Sequence, residues 1–230
     1  MFTEVLRAEA PWLSPELAES LWAYWKLVKK KNEVMNLTAV TEDDEAARRH
    51  FLDALALLEL ADFPQGARVV DVGTGAGFPG VPLKLARPDL RLCLLDSLGK
   101  RVDFLREALE TLGVEAECVH ARAEEFGLLP ERRDGFDLAL SRAVARLDVL
   151  TELCLPLVKP GGVFLAMKAA EAEEELHGAE KAVRTLGGET EAIRFYEVGG
   201  VRRAAAVIRK TRPTPKGYPR RFAQIRKQPL

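Results

Sequence analysis

The sequence predicts an α/β fold: a mostly parallel sheet, preceded by helices and finished by an antiparallel hairpin. Three observations carry this. From Ala67 onward, short apolar runs alternate with helical stretches at the spacing of βαβ units. The run RVVDV opens directly into GTGAGFPG, residues 73–80, whose Gly75, Gly77 and Gly80 satisfy G-x-G-x-x-G. Near the C-terminus, Gly199-Gly200 separates two strand-like runs, which signals a hairpin.

The elements follow in order. Residues 1–62 form a helical region, 63–211 the α/β domain and 212–230 a basic tail. Ser14 is placed to N-cap a helix with Pro15 at its first position, running through LAESLWAYWKLVKKKNEV. Leu21, Trp22 and Trp25 make its apolar stripe and belong to the core. Thr41-Glu42-Asp43-Asp44 resembles a capping box opening a second helix through EAARRHFLDALALLEL. ARVVDVG is then a strand, GVPLKLARP a helix, LRLCLLDS a strand, and KRVDFLREALETLG a helix closed by Gly113. AECVH and FDLALSRAV supply two more strands. LDVLTELCLPLV is a helix stopping at Lys159-Pro160-Gly161-Gly162, VFLAMK a fifth strand, and EAEEELHGAEKAVRTLG a helix. ETEAIRFYEV and VRRAAAVIRKT pair as the hairpin, making seven strands.

Composition narrows the function class. The 230 residues are 47% hydrophobic and 30% charged, a globular balance. The longest apolar stretch, residues 52–60, is broken by Asp53 and Glu59, so a cytoplasmic protein is expected. Cys93, Cys118 and Cys154, with His50, His120 and His177, are too scattered for a disulfide framework or a zinc site, and no metal is expected. The net charge of −1 hides an asymmetry: residues 198–230 carry ten Lys and Arg and no acid, leaving 24 basic against 35 acidic residues before them. A basic tail on an acidic body points to an anionic partner, nucleic acid above all, although it could also simply be a solvated tail.

The glycine loop raises the question of its ligand. Ligands of such sheets bind at the carboxyl ends of the strands. A dinucleotide would place its pyrophosphate beside Asp71, which would repel it. S-adenosylmethionine carries a sulfonium and an ammonium instead, which Asp71 would attract. Gly73, Gly75 and Gly77 let the backbone approach either ligand. Pro79 removes an amide from the turn and suits a helix start better than a phosphate nest. Phe78 can offer a ring edge to the ligand or plug the loop against its helix. Asp96 ends the second strand as a ribose acceptor, with Ser97 beside it, and serves NAD and S-adenosylmethionine equally. Ala123 and Glu124, after the third strand, suit an adenine ring and its amino group, although Glu124 also fits a helix start.

The chemistry that methyl transfer would demand depends on the acceptor, and the residues bear on three cases. Methylating pyrimidine C5 needs a nucleophilic cysteine, and Cys154 lies in an apolar helix. Amine methylation typically uses an Asn/Asp-Pro-Pro-aromatic turn, where this chain reads SRAVA, 141–145. A ring nitrogen such as guanine N7 needs only positioning and electrostatics. Arg142 and Lys168, at the fourth and fifth strand ends, can donate to guanine O6; donation to N7 would block attack. The plainer alternatives are a carboxylate partner for Arg142 and a solvated strand end for Lys168. His50 and Asp53 share a helix face and read as a structural pair, with phosphate or base contact by Arg48 or Arg49 as a second reading. In TPKGYPRRFAQIRKQPL, Lys216, Arg220, Arg221, Arg226 and Lys227 can grip phosphate while Tyr218 and Phe222 either stack on bases or staple the tail to the body.

NLTAVTEDDEAARRHFLDALALL, VVDVGTGAGFPGVPLKLARPDL, LLDSLGKRVDFLREAL, ARAEEF, LALSRAVARLDVL and the Tyr-Pro-Arg-Arg tail closely resemble the ribosomal RNA small subunit methyltransferase G family, also called glucose-inhibited division protein B. The likeness runs from about Asn36 to Leu230. It implies a class I S-adenosylmethionine-dependent methyltransferase, with a Rossmann-like domain, that methylates N7 of one guanosine, guanine 527, in the 530 loop of 16S rRNA. It also implies cofactor-pocket positions at Gly73, Gly75, Phe78, Asp96, Ala123, Glu124 and Arg142. Lys100 and Arg101 match further family positions, and with Arg49 they are assigned here to RNA contact. The expected partner is 16S rRNA or a small-subunit precursor, met by a monomer. One departure stands out: Phe222-Ala223-Gln224-Ile225 replaces the family's usual Gly-Thr-Pro turn.

Overall fold

The structure, a computed structural model, describes residues 1–142, 145–169 and 172–230. Ala143 and Val144 of the SRAVA turn, and Glu171 at the expected start of the EAEEEL helix, lie outside the described residues.

Helices α1 (Phe2–Glu9) and α2 (Pro15–Met35) open the chain. Ser14 caps α2 as expected, its Oγ accepting from Leu17 N at 3.2 Å, and Asn36 ends it in the left-handed region. The third helix, α3 (43–60), differs from the expectation. Its N-cap is Glu42, without a side-chain cap bond, so the capping box at Thr41 does not form. It is α-helical over Asp43–Ala46, π-helical over Ala47–Leu52, and α-helical again over Asp53–Leu55 and Leu57–Leu60. π-helical turns recur at functional sites, and this one carries Arg49 and His50.

The described residues then form one sheet of seven strands: β1 (Arg68–Val72), β2 (Arg91–Asp96), β3 (Glu117–His120), β4 (Phe136–Arg142), β5 (Val158–Lys168), β6 (Gly188–Val198) and β7 (Val201–Lys210). Their order is β3-β2-β1-β4-β5-β7-β6, parallel except where β7 pairs antiparallel with β5 and β6. β5 starts earlier than expected, at Val158. It absorbs Lys159-Pro160-Gly161-Gly162 where its register against β4 shifts between Phe136 and Leu138. Helices α4 (Gly80–Ala86), α5 (Gly99–Leu112), α6 (Ala123–Phe126), α7 (Leu147–Cys154), α8 (Ala172–Thr185) and α9 (Phe222–Lys227) complete the chain.

Two apolar layers hold the sheet. On one face α1, α2 and α3 share a core with Val69, Leu94, Leu138 and Leu165, and Leu21 and Trp25 are fully buried there. On the other, α7 and α8 pack on Val70, Ala139, Phe164 and Ile208, and the tail joins them through buried Ile225. The strand order reverses between β1 and β4, so the ligand crevice belongs at their carboxyl ends. No helix among the described residues is long and apolar enough to cross a membrane.

Candidate active site

Three cavities lie in line at those ends. The first, about 160 Å³, runs between Asp96, Ser97, Ala123 and Glu124. The second, about 400 Å³, is bounded by residues 73–76, Asp96, Arg101 and Thr38. The third, about 440 Å³, is lined by Arg49, Asp53, Lys168, Glu175, Tyr196 and Arg203. Gly73, Asp96 and Ser97 are common to the first two, while His50 and Arg142 form the wall between the second and third. A larger cavity of about 790 Å³ sits at the opposite ends of β1–β3, beside Arg68, Arg91 and Glu117, away from the glycine loop.

The loop's amides are already spent. Gly73 N and Thr74 N donate to Leu95 O, Gly75 N to Asp96 Oδ2 at 2.9 Å, Gly77 N and Phe78 N to Thr74 O, Gly80 N to Asp71 Oδ2 at 2.9 Å, and Val81 N to Gly77 O. Pro79 has no amide. Only Ala76 N is uncommitted in this stretch, so no nest or helix terminus remains to bind a pyrophosphate. Asp96 and Glu124, both buried carboxylates beside cavities, suit hydroxyl and amino donors instead. Asp96 keeps acceptor capacity beyond Gly75 N and Leu98 N, and Glu124 pairs with Arg122 at 2.8 Å. The residues present therefore fit S-adenosylmethionine and not a dinucleotide.

Several expected roles change. Asp71 does not face the cavity: it is fully buried under the loop, Oδ2 accepting from Thr74 Oγ1 at 2.7 Å and Gly80 N, while Oδ1 is unpaired. Burial pushes its carboxyl up to about 6, against the hydrogen bonds from Thr74 and Gly80. Gly77 is likewise a packing glycine. Its φ is +82°, and a Cβ there would collide with the Tyr24 hydroxyl. Phe78 is buried, stacks on His50 at 4.8 Å and lines the second cavity.

Arg142 meets a carboxylate, Asp53, which lines the third cavity. Nη1 lies 3.5 Å from Asp53 Oδ2 and donates to Arg49 O at 3.0 Å, and the guanidinium stands over the Phe78 ring at 5.3 Å. His50 and Asp53 are not a pair. His50 Nε2 meets Thr38 Oγ1 at 2.8 Å, and Nδ1 faces Arg142 Nη2 at 3.4 Å. Arginine can only donate, which leaves the His50 proton on Nε2. Burial and then the Arg142 charge lower His50 to about 4, so the ring is neutral at physiological pH. Asp53 Oδ1 accepts from the Tyr196 hydroxyl at 2.9 Å. Lys168 is not a solvated strand end. Its buried Nζ donates to Ala145 O at 2.7 Å and pairs with Glu175 at 2.7 Å. Cys154 is fully buried, and burial raises its thiol far above the ordinary range, so it offers no nucleophile.

The assignments to RNA divide. Arg101 lines the second cavity, 3.6 Å from Asp96 Oδ2, with its side chain about one-third exposed. Lys100 is exposed, and Arg49 lines the third cavity while pairing with Glu45. In the tail, Arg220 is structural: Nε donates to Glu152 Oε1 at 2.8 Å, and Glu152 is fully buried. Tyr218 and Phe222 staple the tail to the body, Phe222 beneath Arg122 at 5.2 Å. Lys216, Arg221, Arg226 and Lys227 are exposed. Thr38, Glu175, Tyr196 and Arg203 were not apparent from the sequence. They come from a loop and from α8, β6 and β7 and form no motif, and only NLTAV, inside the family-like block, pointed toward one of them.

The comparisons agree with this geometry. A family model described as rRNA small subunit methyltransferase G matches residues 17–204. Relatives named ribosomal RNA small subunit methyltransferase G include that of Bacillus subtilis, 44% identical over 100% of this chain and 97% of its own. That of Pelotomaculum thermopropionicum is 47% identical over 90% and 88%. Among solved structures, a SAM dependent methyltransferase from Aquifex aeolicus aligns with TM-score 0.54 and 18% identity over 80% of this chain and 97% of that one. A methyltransferase from Pyrococcus furiosus gives TM-score 0.58 and 13% identity over 85% and 100%. These likenesses show the class I, Rossmann-like fold, and the near-complete match to family and relatives shows that the chain belongs to the rRNA small subunit methyltransferase G family.

Proposed function

We propose that the first two cavities hold S-adenosylmethionine, adenine beside Ala123 and Glu124 and ribose at Asp96, and that the third receives a guanosine of 16S rRNA, guanine 527 of the 530 loop, for methylation at N7. The observation carrying this reading is the shared wall: Arg142 and His50 border the cofactor cavity and the acceptor cavity at once. S-adenosylmethionine supplies a methyl group already activated on a sulfonium. Attack by N7 releases no proton, so no side chain need act as a base, and positive charge passes onto the purine. Asp53 and Glu175 supply carboxylates around that charge, and Asp53 holds the Arg142 guanidinium in place. Exposed Lys100, Lys216, Arg221, Arg226 and Lys227, with Arg49 at the cavity mouth, supply the phosphate grip. A monomer acting in the cytoplasm on a small-subunit precursor completes the reading.

The test incubates unmethylated 16S rRNA, naked or in small-subunit particles, with enzyme and tritiated S-adenosylmethionine. Borohydride reduction and aniline cleavage then locate 7-methylguanosine. Cleavage at one guanosine of the 530 loop is expected. Label at another atom or in another loop would sink the proposal.

A further inference from the structure

The third cavity contains an acceptor that its fold does not use up. Both oxygens of Asp53 are engaged, Oδ1 by a hydrogen bond from Tyr196 and Oδ2 by the Arg142 guanidinium at 3.5 Å, while Arg203 Nε stands 3.9 Å from Oδ1 without a hydrogen-bond partner. Glu175, in the first turn of α8, is different. Its Oε2 accepts from Leu147 N at 3.0 Å and pairs with Lys168 Nζ at 2.7 Å, while Oε1 has no partner among the described residues. Lys168 has three N–H donors, of which Ala145 O and Glu175 take two. At the β5 end of the cavity a free Lys168 donor therefore stands directly beside a free Glu175 acceptor, apart from the unpartnered Nε of Arg203.

That doublet is the complement of guanine's O6 and N1–H. Adenine presents the reverse, an amino group beside a bare nitrogen. We propose that Lys168 and Glu175 together read the O6/N1–H edge, Lys168 donating to O6 and Glu175 accepting from N1–H, and so make the site specific for guanine. The proposal rests on the methyl-transfer reading above. Strand order supports it. The cofactor-side cavity lies at β1 and β2, Arg142 ends β4, and Lys168 ends the neighbouring β5. Around the purine, N7, O6 and N1 follow in that same sequence. A base with N7 toward the cofactor side thus turns O6 and N1–H toward β5 and α8. Adenine in the same pose would set its N1 lone pair against a carboxylate.

The experiment compares guanosine, inosine and adenosine at the target position, introduced by splinted ligation into 16S rRNA presented in the form that the wild type methylates. Inosine keeps O6 and N1–H but lacks the 2-amino group. The wild type is expected to methylate inosine about as well as guanosine, and adenosine about a hundredfold or more slower. Glu175→Gln, whose amide can donate to a bare N1, should narrow the guanosine-to-adenosine ratio by about tenfold or more. Glu175→Asp should keep the preference at a lower rate. Because each ratio is taken within one variant, partial loss of folded enzyme cancels. An unchanged ratio in Glu175→Gln, or inosine as poor as adenosine in the wild type, overturns the proposal. A wild type that labels no guanine N7 defeats the reading of the function instead.

Discussion

The Tyr24 hydroxyl, from the middle of α2, donates at 2.6 Å to the carbonyl of Ala76 in the glycine loop, and both residues are buried. The N-terminal helices thus set the loop's position directly. Tyr24→Phe leaves that carbonyl buried and unpaired, at a cost of about 1–3 kcal/mol. Thermal unfolding should show the loss, and calorimetry should show weaker S-adenosylhomocysteine binding. Unchanged cofactor affinity would mean that the loop holds its shape without α2.

Asp96 borders the first two cavities and ties two amides, Oδ2 accepting from Gly75 N and Oδ1 from Leu98 N. Asp96→Ala removes both loop anchors together with the proposed ribose acceptor. Cofactor affinity should fall by about tenfold or more, since hydrogen bonds to a charged group contribute about 1.5–3 kcal/mol each. Affinity equal to wild type in the same titration would remove Asp96 from the site.

Two buried groups give opposite pH signatures. His50 titrates at about 4 in the fold, against 6.5 in the free side chain, so its neutral form is the folded one. Its contribution is present above pH 6.5 and is lost as pH falls toward 4. Asp71 titrates at about 6 against 3.8, so the fold favours the protonated acid. Its contribution is present below pH 3.8 and is lost as pH rises through 6. His50→Gln should therefore flatten the acid side of a stability profile, and Asp71→Asn should raise stability at pH 8 relative to pH 4. Denaturant midpoints across that range check both signs, and an Asp71→Asn variant that loses more at pH 8 contradicts the second.

Much of this was legible in the sequence because it is local. The alternation of apolar runs gave the strands, Gly199-Gly200 the hairpin, and Asp96 and Glu124 their places at strand ends. What was not legible depends on partners far along the chain. Nothing near Asp53 predicts Tyr196 or Arg203, which the β6–β7 hairpin brings to it. Lys210 ends β7, and nothing nearby in the sequence marks it for burial. It is fully buried, donating to Leu155 O at 2.6 Å and pairing with Asp134 at 3.2 Å, and burial lowers it to about 8. Asp71 misled for the same reason, since a strand-end carboxylate can point at a ligand or turn beneath the loop, and spacing does not distinguish the two.

The tail holds basic residues locked into the fold beside basic residues left in solvent, and on the proposed function the two groups should respond differently. Arg220 is locked on fully buried Glu152, and Arg133 donates to the carbonyls of Thr214, Pro215 and Tyr218. Arg220→Ala strands a buried carboxylate, which costs about 3–5 kcal/mol, so deleting residues 213–230 should destabilise the whole protein. Lys216, Arg221, Arg226 and Lys227 carry their charge in solvent. Changing these four to Ala should leave the unfolding midpoint nearly in place while weakening rRNA binding and flattening its salt dependence by about 0.7 per charge lost on single-stranded RNA. If the fourfold variant binds rRNA with the wild-type salt slope, the phosphate grip lies elsewhere, and the tail serves only to close the core behind Ile225.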